Sequence, residues 1–97
     1  RAEDPAGILS LSGRFVPRHR DEIVSLARHL EEQERQEHAL NRIMAIHERD
    51  GRLEIFTTDI HLPRRIGEAL HRAYRGELDY RYEPARYFLR VSWSRDL

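Results

Sequence analysis

Histidine, serine, aspartate and cysteine are the side chains from which catalytic and metal sites are most often built. The chain has six histidines and no cysteine. The histidines are scattered, without a His-Glu-x-x-His motif or an i,i+4 pair on a predicted helix, so their spacing predicts no metal site. No serine lies in a nucleophile elbow, and the glycines are too dispersed for a phosphate-binding loop. We therefore expect no catalytic, cofactor-binding or metal-binding residue, and no enzyme.

One short segment combines a hydroxyl, a carboxylate and an imidazole at a predicted strand-to-helix corner. It reads Thr57-Thr58-Asp59-Ile60-His61. Such groups can act in general acid–base catalysis. The same spacing suits a helix N-cap, in which Asp59 accepts hydrogen bonds from backbone amides. We favour the cap, and catalysis stays the alternative.

Arginine supplies all 17 basic residues of the chain, which contains no lysine. Its planar guanidinium suits carboxylate and phosphate ligands. Basic residues cluster at the starts of the two predicted helices, where the positive end of the helix dipole makes cations mildly unfavourable. The predicted anion- or RNA-binding residues are Arg18, His19, Arg20, His61, Arg64 and Arg65. The alternative is simple compensation of their charge by Asp21, Glu22 and Asp59.

Length and composition limit the classes of function. With 97 residues, of which 39% are hydrophobic and 35% charged, the chain suits one domain with one core. A net charge of zero argues against non-specific attraction to nucleic acid or to an anionic membrane. No apolar run approaches the roughly 18 residues that span a bilayer, and no signal-peptide pattern is recognisable. We therefore expect a cytoplasmic protein without a membrane partner.

Apolar periodicity and turn residues predict seven elements in the order β-α-β-β-α-β-β. We expect residues 1–7 to be a polar lead-in and residues 8–97 a single α+β domain. The predicted elements are a strand over 8–16, a helix over 20–37, strands over 42–48 and 53–58, a helix over 60–74 and a hairpin over 78–93. The order matches a ferredoxin-like two-layer sandwich with an extra edge strand, in which two helices cover one face of a mostly antiparallel sheet.

Turn residues also predict the register of both hairpins. Asp50-Gly51 suits a two-residue type I′ turn, because both positions need a positive φ. That turn sets four pairs opposite each other: Met44 and Thr57, Ala45 and Phe56, Ile46 and Ile55, and His47 and Glu54. In the last hairpin, a four-residue loop over 83–86 sets Asp79 across from Arg90 and Tyr80 across from Leu89.

The expected topology brings the two basic helix starts together. We expect the first and third strands to lie side by side and parallel, with one helix following each of them. Both helix N-termini would then emerge at the same end of the sheet. The six basic residues would form one rim with free backbone amides, which suits a phosphate ligand.

The second sheet face suggests a different function. Ile43, Ala45 and Phe56 would leave apolar area uncovered there if the helices lie on the other face. Exposed apolar patches often mark contact sites. A protein-interaction or homodimerisation domain is therefore the alternative to RNA binding.

Three segments resemble a small bacterial family: residues 57–78 (Thr57-Thr58-Asp59 through Gly76-Glu77-Leu78), Pro5-Ala6-Gly7 and residues 18–23. Members of that family resemble the N-terminal part of the ribosomal-subunit export adaptor family of archaea and eukaryotes, nonsense-mediated decay protein three. Full-length members carry a zinc ribbon of paired cysteines upstream. This chain has no cysteine, so the resemblance implies that the ribbon is truncated or lost here and that the chain has no zinc site. The resemblance implies ribosome or RNA association. We therefore expect a non-enzymatic binding module for RNA or a ribonucleoprotein, without a cofactor.

Overall fold

A computed structural model describes residues 4–97, so residues 1–3 of the predicted lead-in lie outside the described part of the chain. The elements are β1 (Gly7–Ser12), α1 (Phe15–Arg18), α2 (Arg20–Glu37), β2 (Ile43–Arg49), β3 (Arg52–Thr57), α3 (His61–Tyr74), β4 (Glu77–Glu83) and β5 (Phe88–Ser94), with a 3-10 turn at Pro84–Arg86. The predicted α+β class is confirmed. Both long helices also match their predicted bounds to within one residue.

The predicted first strand is wrong at its end, because the chain leaves the sheet at Gly13. Gly13 has a φ of 101°, which favours glycine. The turn that it makes lets the Phe15 amide donate a hydrogen bond to the Arg95 carbonyl at 3.1 Å. Phe15 and Val16 therefore enter the core from the short helix α1 rather than from β1.

The five strands form one mixed sheet in the order β2-β3-β1-β5-β4. β1 runs antiparallel to β3 and parallel to β5. Two predictions are therefore wrong: the first and third strands are not parallel, and the last strand lies inside the sheet rather than at its edge. A helical crossover returns the chain so that β2 runs in the direction of β1, and the tight hairpin then reverses β3. The finer ferredoxin-like assignment stays a prediction.

The first hairpin turns at Asp50-Gly51, whose φ angles of 55° and 76° confirm the predicted positive values. The confirmed pairs are Ala45 with Phe56, Ile46 with Ile55 and His47 with Glu54. The fourth pair is wrong, because a bulge between Ile43 and Ala45 sets Ile43, not Met44, opposite Thr57. The extra residue turns Ile43 to the helix side of the sheet, where it is buried.

The last hairpin pairs β4 with β5 in a register that differs from the predicted one by two residues. Asp79 lies opposite Ser92 instead of the predicted Arg90, and Tyr80 lies opposite Val91 instead of the predicted Leu89. Both predicted pairs are wrong because the loop begins one residue later, at Pro84, and ends with Tyr87 in the left-handed region at a φ of 48°. A two-residue shift keeps every side chain on its predicted face.

The helices cover one face of the sheet and enclose the core. Gly67 marks the closest approach of α3, since a Cβ added there would lie 2.9 Å from Cγ1 of Val91 and 3.1 Å from Cδ1 of Leu78. The largest fully buried side chains are Trp93, Leu9, Leu11, Ile23, Leu53, Ile55, Leu62, Ile66, Leu70, Leu89, Val16 and Val91. Within residues 4–97, no helix combines the length and the apolar character that a membrane span requires.

The polar end of α2 is fixed to the start of α3 through a buried carboxylate. Glu34 is 5% exposed. It accepts hydrogen bonds from Nδ2 of Asn41 at 2.9 Å and from Nη1 of Arg65 at 3.1 Å. Burial by itself would raise the pKa of Glu34, but these hydrogen bonds and nearby positive charge outweigh it and hold the pKa below its usual range.

Replacing Glu34 with Gln should lower the free energy of unfolding at pH 7 by about 1–3 kcal/mol, because Arg65 loses its charged partner. A depressed folded-state pKa means that the carboxylate's stabilisation is present above its unfolded-state pKa and is lost as the pH falls through the folded-state value. Urea unfolding of both proteins should therefore show a difference that shrinks below about pH 4.3, the ordinary glutamate pKa.

The exposed Glu32 on the same helix provides the control. E32Q should change the free energy of unfolding by less than about 0.5 kcal/mol at every pH. A difference between wild type and E34Q that stays constant on acidification would contradict the role given to the Glu34 carboxylate.

Candidate functional site

The two basic helix starts lie at opposite ends of the sheet, because α2 and α3 follow two strands that run antiparallel. At the start of α2, Nε of Arg20 donates to Oε1 of Glu48, near the end of β2, at 2.7 Å. In the first turn of α3, Arg65 instead contacts Glu34, near the end of α2. The prediction that these residues converge on one rim is therefore wrong.

Most of the predicted binding residues also have partners within the chain. Arg20 and Arg65 form the ion pairs described above. The ring of His19 stacks on Phe15 with centroids 3.8 Å apart. The guanidinium carbon of Arg64 lies 5.3 Å from the centre of the Tyr80 ring. The two remaining residues, Arg18 and His61, are exposed, and the ring of His61 lies 6.3 Å, centroid to centroid, from that of His38.

The start of α3 is capped by the chain itself. Oδ2 of Asp59 accepts hydrogen bonds from the backbone amides of His61 at 2.8 Å and Leu62 at 3.0 Å. The hydroxyl of Thr57 donates to the Asp59 carbonyl at 2.7 Å. The predicted cap is confirmed, and two amides that would otherwise be available to an anion are occupied.

Substituting Asp59 with Ala should cost about 1 kcal/mol of unfolding free energy, since two helix amides lose their acceptor. Asp59→Asn keeps a side-chain oxygen at the cap and should cost less. Urea titrations of the three proteins at neutral pH measure this difference. Equal stability of D59A and wild type would refute the capping role.

The sheet face opposite the helices, here called the open face, carries a row of small side chains in its centre. Ser10 and Ser12 of β1 lie directly beside Ser92 and Ser94 of β5. Longer side chains stand on the flanking strands, so the serines form the floor of a groove, the serine groove. Its main cavity has a volume of about 790 Å³ and extends over β2 and β3. This is within the usual range of ligand pockets.

Unpaired positive charge stands at one end of the serine groove. Arg49 and Arg52 lie directly opposite each other on β2 and β3 and line the groove. Both are exposed, and neither side chain forms a hydrogen bond or ion pair within residues 4–97. Like charges in this position destabilise a hairpin. Asp50, in the turn between them, and Glu54, two residues further along β3, line the same groove and partly offset their charge.

The middle of the serine groove offers other recognition chemistry. Glu54 and His47 lie directly opposite each other, and Glu54 also faces Ser10 on its other side. The rings of His47 and Phe56 are 5.1 Å apart at their centroids and tilted by 57°. The groove therefore combines hydroxyls, a carboxylate acceptor and a flat ring surface.

The far end of the open face is closed by ion pairs. Phe88 is buried beneath Arg86 and Arg90, whose guanidinium carbons lie 5.3 Å and 4.9 Å from its ring centre. Both arginines bind the carboxylate of Glu83, at 3.2 Å and 2.8 Å. The hydrogen bond from Arg90, together with nearby arginine charge, holds the pKa of Glu83 below its usual range. These arginines are therefore committed to the protein's own structure.

The predicted apolar contact face is smaller than expected. The bulge in β2 removes Ile43 to the core, which leaves Ala45 and Phe56 half-buried on the open face. Their neighbour Ile8 is itself buried. The prediction of an apolar patch built from Ile43, Ala45 and Phe56 is therefore wrong, and polar side chains dominate this surface.

Residues 4–97 hold no group of three or more histidine, aspartate or glutamate side chains placed to bind a metal ion. Comparison with protein-family models, curated proteins and solved structures gives no match to this chain. The resemblance to the export adaptor family thus stays a prediction. The serine groove, which lies away from the helix starts, is therefore the candidate site.

Proposed function

We propose that the protein is a non-enzymatic module that binds a single-stranded segment of RNA, free or within a ribonucleoprotein, in the serine groove. The observation that carries the proposal is the opposed pair Arg49 and Arg52, whose side chains form no ion pair within residues 4–97 although Asp50 and Glu54 line the same groove. Arginine forks match phosphate oxygens in geometry and charge. A bound phosphate would relieve the repulsion between the two guanidinium groups.

The groups along β3 suit the successive parts of a nucleotide. Arg52, Glu54 and Phe56 share the open face at intervals of about 7 Å. A carboxylate accepts hydrogen bonds from base amino groups, and an aromatic ring supports base stacking. The serine floor leaves room for unpaired bases. These features favour single-stranded RNA over a duplex, whose bases are already paired and stacked.

The charge balance sets the expected strength of binding. The chain has no net charge, so long-range attraction to RNA is weak. Two free arginines supply two phosphate contacts, and each contact on a single strand contributes about 0.7 to the salt dependence of the affinity. We therefore expect short-range binding that depends on the groove rather than on a large basic surface.

The proposal predicts that R49E/R52E binds RNA at least about tenfold more weakly than wild type. The slope of log affinity against log salt should also fall by about 1.4, from the loss of two phosphate contacts. Fluorescence anisotropy with a labelled, unstructured ten-nucleotide RNA measures both quantities.

The matched control is R35E/R64E, which changes charge equally but alters exposed arginines of α2 and α3 on the helix side of the sheet. Its affinity should stay within about twofold of wild type. Failure of wild type to bind the RNA would contradict the proposal, as would an equal loss in the two double variants. Binding of an acidic peptide but not of RNA would assign the groove to a protein partner.

A further inference from the structure

The strand β4 is an open and regular edge of the sheet. Its residues, Glu77–Glu83, pair with β5 on one side, and no described segment pairs with the other side. The opposite edge, β2, is interrupted by a bulge, which hinders further strand pairing. β4 has no bulge, proline or lysine. It therefore presents a row of backbone donors and acceptors to a further strand.

Two unpaired charges on this edge are complementary to each other. Asp79 and Arg81 flank Tyr80 and share the open face. Neither side chain forms a hydrogen bond or an ion pair within residues 4–97. Arg81 also lies directly opposite Arg90 of β5, whose guanidinium is already bound by Glu83. An acidic group on the free side of β4 would give Arg81 an ion-pair partner of its own.

We propose that the protein forms a symmetric homodimer in which β4 pairs antiparallel with β4 of a second copy, centred on Tyr80. Asp79 of each chain then lies opposite the second copy's Arg81. On the helix side, Tyr80 meets its own counterpart and Leu78 meets the second copy's Tyr82. The interface is isologous, because the same strand serves both copies.

The charges select this register over its neighbours. Centring the pair on Asp79 sets two aspartates opposite each other, and centring it on Arg81 sets two arginines opposite each other. A shift that changes the pairing by one residue would set helix-side residues against open-face residues. The Tyr80 register does oppose Glu77 to Glu83, but two arginines of the same chain already neutralise Glu83.

Aromatic surface at the edge supports the pairing. Tyr80 and Tyr82 are 39% and 45% exposed, which is unusual for large side chains on the core side of a sheet. Strand pairing would cover both, and aromatic cross-strand pairs stabilise sheets. The two-fold axis stands perpendicular to the sheet, so the helices of both copies lie on one side of a ten-stranded sheet.

Sedimentation velocity from about 10 µM to about 1 mM should show a concentration-dependent dimer of the 11.6 kDa chain. D79R and R81D each oppose like charges across the dimer and should self-associate at least about tenfold more weakly. An equimolar mixture should recover dimers, because R81D supplies aspartates where D79R supplies arginines. E37R, a reversal at the exposed end of α2, should dimerise as wild type does.

Circular dichroism of each variant separates loss of folding from loss of pairing. Recovery of dimers by mixing two folded, monomeric variants is the result that the proposal requires. A wild-type protein that stays monomeric at about 1 mM would overturn it. Undiminished self-association of both single variants, or a mixture that stays monomeric, would overturn it as well.

Discussion

The parallel pairing of β5 with β1 is the constraint on which the other features depend. It sets Trp93 beside Leu11 in the core, where the indole N–H donates to the Arg75 carbonyl at 2.6 Å and so ties the end of α3 to the sheet. On the opposite face the same pairing aligns the serines of the two strands. It also displaces β4 to the edge of the sheet. Core, groove and open edge therefore follow from one long-range contact between the two ends of the described chain.

Local sequence signals predicted the parts of the fold that local physics determines. The periodicity of α2 and α3 and the turn chemistry of Asp50-Gly51 each act within a short segment, and all three were correct. The β1–β5 pairing joins residues about eighty positions apart, and no local preference specifies it. The bulge at Ile43 was not predicted for a related reason, because the alternation of apolar and polar residues along a strand assumes an uninterrupted pleat. Tertiary packing decides where such an irregularity is placed.

The candidate site was partly visible in the sequence. Ser10 and Ser12 alternate with buried leucines, and the predicted hairpin register already implied that Arg49 opposes Arg52. These residues form a groove only because β1 and β5 are neighbours in the sheet. The helix-start arginines were predicted to bind a ligand because cations are unfavourable at a helix N-terminus. In the structure, however, Arg20 and Arg65 form ion pairs with Glu48 and Glu34, which are distant in sequence. A local electrostatic conflict is therefore weak evidence for a ligand until its tertiary partners are known.

Backbone amide chemical shifts, followed by NMR while an unstructured RNA decamer is added, test most directly whether the serine groove is the binding surface. The predicted result is a set of saturable shifts on the open-face residues of β1, β3 and β5, including Ser10, Glu54 and Ser92. The amides at the starts of α2 and α3 should remain near their free positions. Shifts centred on Arg20 or Arg64, with the serine groove unaffected, would contradict the account.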